Sequence, residues 1–390
     1  MRIGAGPTPD EVRRILARSG DEPTPARVTS AYRSAAGVLP PRRVLERSVR
    51  IVDEIVGAGP LQPFLDDPAV CDVLVHGGGA VWVDRGNGLC RAPRDLPGEE
   101  AVRALAVRLL GASGRRLDAA APYADGVLPS GHRVHAVIPP LAIDGTCISV
   151  RPVRPLAYRL ADLEASGSVH PRVGECLRGL LQAGAPMVIT GRTGSGKTTL
   201  LAALLAELDS ALRLVVVEDS SELRPPHPQL VRLQSRAPNV EGAGRVGLRE
   251  LVRQALRMRP DRLVVGEVRG PEIVDLLVAL NTGHRGGLCT LHANSAADVP
   301  ARVEALGLLA GVSPETARRL LAAALRVVVH LDRRDGAREV TEIAVLPSGD
   351  ATSDLAGPVA QVACSVRRGE FVEGPGWLAL ATEIAGSGRG

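Results

Sequence analysis

The run GRTGSGKTT, residues 191–199, restricts the fold more than any other stretch of this chain. It follows a short apolar run, PMVIT, and leads into a longer one, LLAALLAEL. Its spacing is G-x-x-x-x-G-K-[ST]. A loop of that pattern leaves a buried strand, wraps backbone N–H groups around a phosphate and enters a helix. Gly191, Gly194 and Gly196 permit the turn, and Arg192, Thr193 and Ser195 complete it. Lys197 is placed to reach the β- and γ-phosphates of a nucleotide, with the hydroxyl of Thr198 on Mg2+ and Thr199 next in the first helical turn. Lys197 is also the only lysine; the rest of the 47 Lys and Arg residues are arginine. A compact ammonium fits between phosphate oxygens in a closed loop where a broad planar guanidinium does not. ATP with Mg2+ is the expected ligand pair.

Such a loop needs a sheet behind it. Apolar runs at 186–190, 212–219, 262–268 and 287–293 alternate with helical stretches at 197–208, 246–258, 271–281 and 298–310. This alternation predicts an α/β domain with a mostly parallel sheet and helices on its faces. A helix at 314–325 then leads to a hairpin turning at Asp335 and Gly336. Upstream, residues 59–152 hold short β-like runs around a helix at 99–111, which predicts a smaller α+β domain. Residues 1–58 read as an N-terminal helical segment, and 153–170, with Pro155 near its start, as a linker. The nucleotide-binding domain is expected over 171–347. The Gly-, Ala- and Pro-rich stretch 348–390 is expected to be a weakly ordered tail.

Acidic residues fall at the ends of two of the predicted strands. One run ends in Glu218 and Asp219, with Glu222 close behind; another ends near Glu267, followed by Arg269. In an open parallel sheet ligands sit beyond the carboxyl ends of the strands, so both clusters belong on the edge that carries the phosphate loop. Carboxylates there hold a metal shell or orient an attacking water. His284 and His292 flank a further apolar run, and His292 at its end is the better placed to meet a terminal phosphate.

Composition narrows the partners. The 390 residues are 45% apolar and 23% charged with a net charge of +4, which describes a globular chain. Aromatic residues make up only 2%, too few for the stacking platforms of single-strand binding, so no direct nucleic acid is expected. Six scattered cysteines lack metal-ligand spacing and read as reduced, mostly buried thiols, with no structural metal. The N-terminus has no apolar signal region and no run reaches the ~18 apolar residues of a membrane span. A cytoplasmic protein is expected, at most peripheral to the membrane.

Together, GRTGSGKTT, VVVEDSSEL, ALRMRPDRLVVGEVRG and NTGHRGGLCTLHANSAADVPARVEAL resemble, in order and spacing, the secretion-ATPase superfamily. These are hexameric motors of type II and type IV secretion and of type IV and tight-adherence pili. The resemblance spans about residues 60–330 and lies closest to the tight-adherence and conjugal-transfer branch. It implies a RecA-like ATPase domain behind a smaller α+β domain, Mg-ATP hydrolysis, a homo-hexamer, and a membrane platform protein as partner at the cytoplasmic face of the inner membrane. It also implies Glu218 as the water-activating carboxylate, Glu267 as the Walker B glutamate associated with Mg2+, and His292 as the histidine-box residue near the γ-phosphate. Arg133, Arg151 and Arg269 are implied arginine contacts. Two positions depart from the pattern: Gly270 stands where type II members usually carry Asp, and Val127 where Arg is expected. The zinc-binding insertion of some members is absent. Two other readings remain open, a nucleotide-gated scaffold with little turnover and a RecA-like motor acting on DNA.

Overall fold

In the central strands of the larger sheet every side chain is buried, and that pattern follows from helices covering both of its faces. The structure is a computed structural model. It describes residues 6–19, 23–36, 41–152, 158–236, 243–283, 286–334, 337–346 and 359–386. The chain divides into two compact units, 1–153 and 154–390.

The first unit opens with helices α1 (Pro9–Ser19), α2 (Pro25–Ala35) and α3 (Pro41–Ile55). Thr8 and Glu11 cap α1 reciprocally, the Thr8 N–H donating to the Glu11 carboxylate at 2.8 Å. Val12, Leu16, Val28, Tyr32 and Ile51 form the core of this bundle. After the short α4 (Gln62–Leu65) come β1 (Asp72–Val75), β2 (Val81–Asp84), β3 (Leu89–Arg91), α5 (Glu99–Ala112), β4 (Tyr123–Val127), β5 (Arg133–Val137) and β6 (Cys147–Arg151). The six strands form an antiparallel sheet in the order β3-β2-β1-β6-β5-β4. Alternate residues such as Val73, Val75, Val134 and Ala136 join Val102, Leu109 and Leu110 of α5 in one core. Only one face of the sheet is covered this way, which is why these strands alternate.

The second unit begins with α6 (Leu160–Ala165) and α7 (Pro171–Ala183). Then follow β7 (Met187–Gly191), α8 (Lys197–Ala206), β8 (Leu214–Glu218), β9 (Leu230–Gln234), α9 (Leu248–Leu256) and β10 (Arg262–Val268). The chain continues through α10 (Glu272–Asn281), β11 (Leu288–Leu291), α11 (Val299–Leu309), α12 (Pro314–Ala324), β12 (Val327–Arg334) and β13 (Ala337–Val345). It ends in β14 (Gln361–Arg367), β15 (Glu370–Glu373) and α13 (Trp377–Ala385). Nine strands form one sheet, ordered β15-β14-β13-β12-β7-β11-β10-β8-β9. From β12 to β9 all neighbours are parallel; β13, β14 and β15 add antiparallel strands at one side. Successive residues point to opposite cores. Ile189, Val216, Val264 and Val329 pack with α7 and α8; Val188, Val215, Val265 and Val328 pack with α9, α10 and α12. The mostly parallel α/β architecture read from the pattern is the one present.

Two sequence expectations need correction. The expected linker, 153–170, contains α6, whose Leu160 and Leu163 are buried in the core against α7 and α8. The expected weakly ordered tail contains β14, β15 and α13. Ala363, Cys364 and Leu380 are fully buried there, and Phe371 and Trp377 meet edge-on with the Arg172 guanidinium 4.2 Å from the Phe371 ring centre. Small and glycine-rich composition hid a short apolar set that only the sheet edge gives a use. The expected turn at Asp335 and Gly336 lies outside the described residues. All six cysteines are unpaired, three of them buried, and burial pushes the thiols of Cys289 and Cys364 up to about 12.

The tail's contribution to stability is measurable. Leu380→Ala removes a fully buried side chain and is expected to cost about 2–5 kcal/mol. Urea or thermal denaturation reads this directly, and an unchanged midpoint would mean that α13 does not pack as described.

Candidate functional site

Strand β7 lies between β11 and β12, and the parallel strands β8, β10 and β11 end at the same edge. The phosphate loop, Glu218, Glu267 and His292 therefore share one side of the sheet because each follows or closes one of those strands. The loop turns through left-handed backbone at Gly194 (φ 77°) and Gly196 (φ 100°), where a side chain would be strained. Arg192 and Thr193 are exposed, Thr198 and Thr199 half-buried, and Ser195 is buried with its Oγ lacking a hydrogen-bond partner.

Lys197 is the first residue of α8 and is buried. Its Nζ donates to the carbonyls of Gly191 at 2.9 Å and Arg192 at 3.0 Å, and lies 3.4 Å from Nδ1 of His292. Burial lowers its pKa; Glu267 pulls it back up and Arg269 pushes it down, leaving it below the ordinary lysine value. A cation at the positive end of a helix, solvated by its own loop, is arranged to receive an anion.

Glu267 faces it. One carboxylate oxygen pairs with Nε2 of His292 at 2.5 Å, and the other accepts from Arg269. Burial acts to raise the Glu267 pKa, but the Arg269 hydrogen bond and the charges of Arg269, His292 and Lys197 outweigh it, so the carboxylate stays ionised. For His292, burial and Lys197 lower the pKa more than Glu267 raises it. Arg269 also feels Asp219 and Glu222 after its main partner Glu267, so one guanidinium joins both acidic clusters.

Glu218 closes β8. It is buried, and its Oε1 accepts the backbone N–H groups of Glu222 and Leu223, both at 3.1 Å. Here it clasps the loop that follows β8. The residue beside it on β10 is Gly266, where a Cβ would stand 2.7 Å from Cγ of Glu218, so only glycine leaves room for the carboxylate. Asp219 is exposed and accepts from Ser235 Oγ at 2.9 Å. His284 lies outside the described residues.

Arg133 and Arg151 belong to the first unit. They oppose each other across β5 and β6, and Val127 opposes Arg133 across β4, so the position lacking the expected arginine shares their row. Asp72 holds Arg151 through contacts of 2.9 and 3.2 Å.

Sequence reasoning missed Glu272. It is buried and accepts from the N–H groups of Arg269 at 2.7 Å and Gly270 at 2.8 Å, fixing the turn that presents Arg269. A Cβ at Gly270 would lie 3.0 Å from this carboxylate, a tight approach at that departure. The legible cue is an acid in the first turn of a predicted helix, a common capping arrangement.

Between the loop and α11 lies an open depression of about 560 Å3, lined by Arg192, Thr193, His292, Asn294, Asp298 and Arg302 among others. Its size suits the phosphate end of a nucleotide. The ionised Glu267 and the half-buried Thr198 are a donor set suited to Mg2+, hard oxygens on a cation that keeps part of its water.

The charge network predicts opposite shifts at one ring. Glu267→Gln removes the anion and lowers the His292 pKa further, whereas Lys197→Ala removes a cation and raises it. An NMR titration of the His292 ring proton measures both; shifts of the same sign would contradict the geometry.

Residues 54–366 match the family model described as Type II/IV secretion system protein. A Mycobacterium tuberculosis protein named for conjugal transfer is 51% identical over 300 residues, covering 75% of this chain and 85% of its own. The type IV secretion system protein VirB11 of Brucella suis is 31% identical over 319 residues, covering 73% and 88%. Among solved structures, the ATPase DotB of Yersinia pseudotuberculosis shares the fold at a TM-score of 0.52 and 19% identity, covering 78% of this chain and 80% of that one. With four-fifths of its length inside that model and a phosphate loop, acidic strand ends and histidine loop assembled on one sheet edge, this chain belongs to the type II/IV secretion system protein family.

Proposed function

We propose that the protein is the ATP-hydrolysing motor of a conjugal-transfer or pilus-type secretion system, acting as a hexamer on a membrane platform. The observation that carries this reading is Lys197, buried at a helix N-terminus with its ammonium bonded, among the described residues, to two loop carbonyls and His292. Lys197 and the loop N–H groups bind the β- and γ-phosphates, and Arg192 adds charge at the rim. Thr198 and Glu267 hold Mg2+, which when bound neutralises phosphate charge. His292 stands between Lys197 and Glu267 and faces the terminal phosphate. Glu218 orients the attacking water from the neighbouring strand end. Arg133 and Arg151 stabilise developing charge on the nucleotide of an adjacent subunit.

Among the described residues no helix is long and apolar enough to cross a membrane, so force on a membrane platform passes through contact with a partner. The scaffold reading has one observation in its favour, the engagement of Glu218 by the Glu222 and Leu223 N–H groups. Glu218→Gln separates the two. A glutamine carbonyl still accepts those N–H groups, so a loop clasp survives the change, whereas a water-orienting carboxylate does not. The motor reading expects turnover to fall by about 100-fold or more with ATP binding retained. Lys197→Ala is expected to abolish Mg-ATP binding itself. Wild-type protein that binds Mg-ATP without turnover would establish the scaffold, and strong stimulation by DNA would establish the DNA motor.

A further inference from the structure

His330, in the middle of β12, is buried and takes no part in the site described above. It belongs to a row across the sheet in which Leu291, Thr190, His330, Glu342 and Ser365 stand side by side on β11, β7, β12, β13 and β14. Its Nδ1 lies 2.9 Å from Thr190 Oγ1, and Thr190 is the residue before Gly191. The ring faces the backbone of Asn294, two residues after His292. Because the strand order is β12-β7-β11, the ring reaches across the strand that carries the phosphate loop to the loop that follows the next one. Its neighbour Glu342 does the same from β13, accepting the Ala296 N–H at 3.0 Å. A bulge between His330 and Leu331 leaves Thr341 extra in β13, and its hydroxyl donates to the His330 carbonyl at 3.3 Å.

We propose that His330 is a positioning residue that fixes the loop bearing His292 relative to the phosphate loop, so that turnover depends on it although it touches no nucleotide. The inference rests on the reading that His292 acts at the terminal phosphate. Thr190 Oγ1 lies between Nδ1 of His330 at 2.9 Å and the Val329 carbonyl at 3.5 Å, so the hydroxyl and the ring form one polar cluster across β7 and β12, beside the Asn294 backbone. Burial lowers the His330 pKa more than Glu342, Asp332 and Asp298 raise it, which favours the neutral ring. One imidazole thereby lies against both the end of β7 and the loop that follows β11. Among the described residues the ring contacts of His292 are Lys197 and Glu267, groups that would rearrange when a charged ligand enters. Misplacing a reacting group by about 1 Å costs on the order of 100-fold in rate.

The test uses the full chain, steady-state ATPase kinetics, and binding of fluorescently labelled ADP. Thr190→Val, nearly isosteric, and His330→Ala are each expected to lower kcat by about 10-fold or more, with KM and ADP affinity within about threefold of wild type. His330→Gln, whose amide N–H reaches toward the Asn294 carbonyl, recovers most of the rate. In a His292→Ala background neither change lowers kcat further, because the group being positioned is already gone. Unchanged kcat in both Thr190→Val and His330→Ala overturns the inference. So does a full additional loss in the His292→Ala background, or a fall in ADP affinity that parallels the fall in kcat. If His292→Ala alone leaves kcat intact, the reading of the site fails and takes this inference with it. If His292→Ala loses turnover while the His330 and Thr190 variants keep it, only the inference fails.

Discussion

A single ammonium group buried at the first turn of α8 sets the chemistry of the second unit. Lys197 has given up water for two loop carbonyls, and it sits where the helix already presents its positive end. The dipole alone disfavours a cation there by roughly 0.3–1 kcal/mol. Nothing neutral relieves that arrangement as well as an anion does, and an anion the size of a phosphate also answers the loop N–H groups. The fold therefore sets a positive charge at the edge of a close-packed sheet. The dryness of that sheet, buried at every residue of β7, β8 and β11, is what keeps the site rigid.

The opposing charge is held just as deliberately. Glu267 is shared between Arg269 and His292 and stays ionised despite partial burial. Arg269 is in turn fixed at its own backbone by Glu272 and drawn toward Asp219 and Glu222. Under the proposed function, a triphosphate and its metal would compete for Lys197, Glu267 and His292 together. Binding at this edge would then be an exchange of internal ion pairs for external ones, which would lower the desolvation cost of the charged ligand. It also means that the positions of Arg269 and His292 report whether the exchange has occurred.

Much of this was legible before any coordinates. The phosphate loop announces itself because glycine spacing and a lone lysine have few other uses, and the parallel strands because continuous apolar runs are confined to doubly covered sheets. The carboxyl-edge rule then brought Glu218, Glu267 and His292 to one side. Contacts within that edge were not legible. That Glu218 clasps a loop depends on Gly266 lying opposite, which is a matter of strand register rather than of local pattern. His330 looked like one polar residue in an apolar strand, and only the order β12-β7-β11 shows what it spans. Strand β9, half-exposed and mixed in composition, carried neither an apolar run nor strict alternation.

The segment from 359 onward is the least expected part of the fold, and it is mechanically continuous with the site. Strand β14 pairs with β13 so that Ser365 stands beside Glu342, the residue that holds the Ala296 N–H of the histidine loop. Behind β14, Leu380 of α13 is buried with Cys364, Val366 and Cys176 in the same core that supports α8. A parallel sheet ending at β12 would leave that strand as an edge, with unpaired backbone groups and freedom to slip. The antiparallel extension removes this freedom where His330 and Glu342 need a fixed register. Side chains at the phosphate loop are thus aligned in part by a segment that begins some 170 residues later in the chain, whose own sequence mixes small, apolar and charged residues with two aromatics.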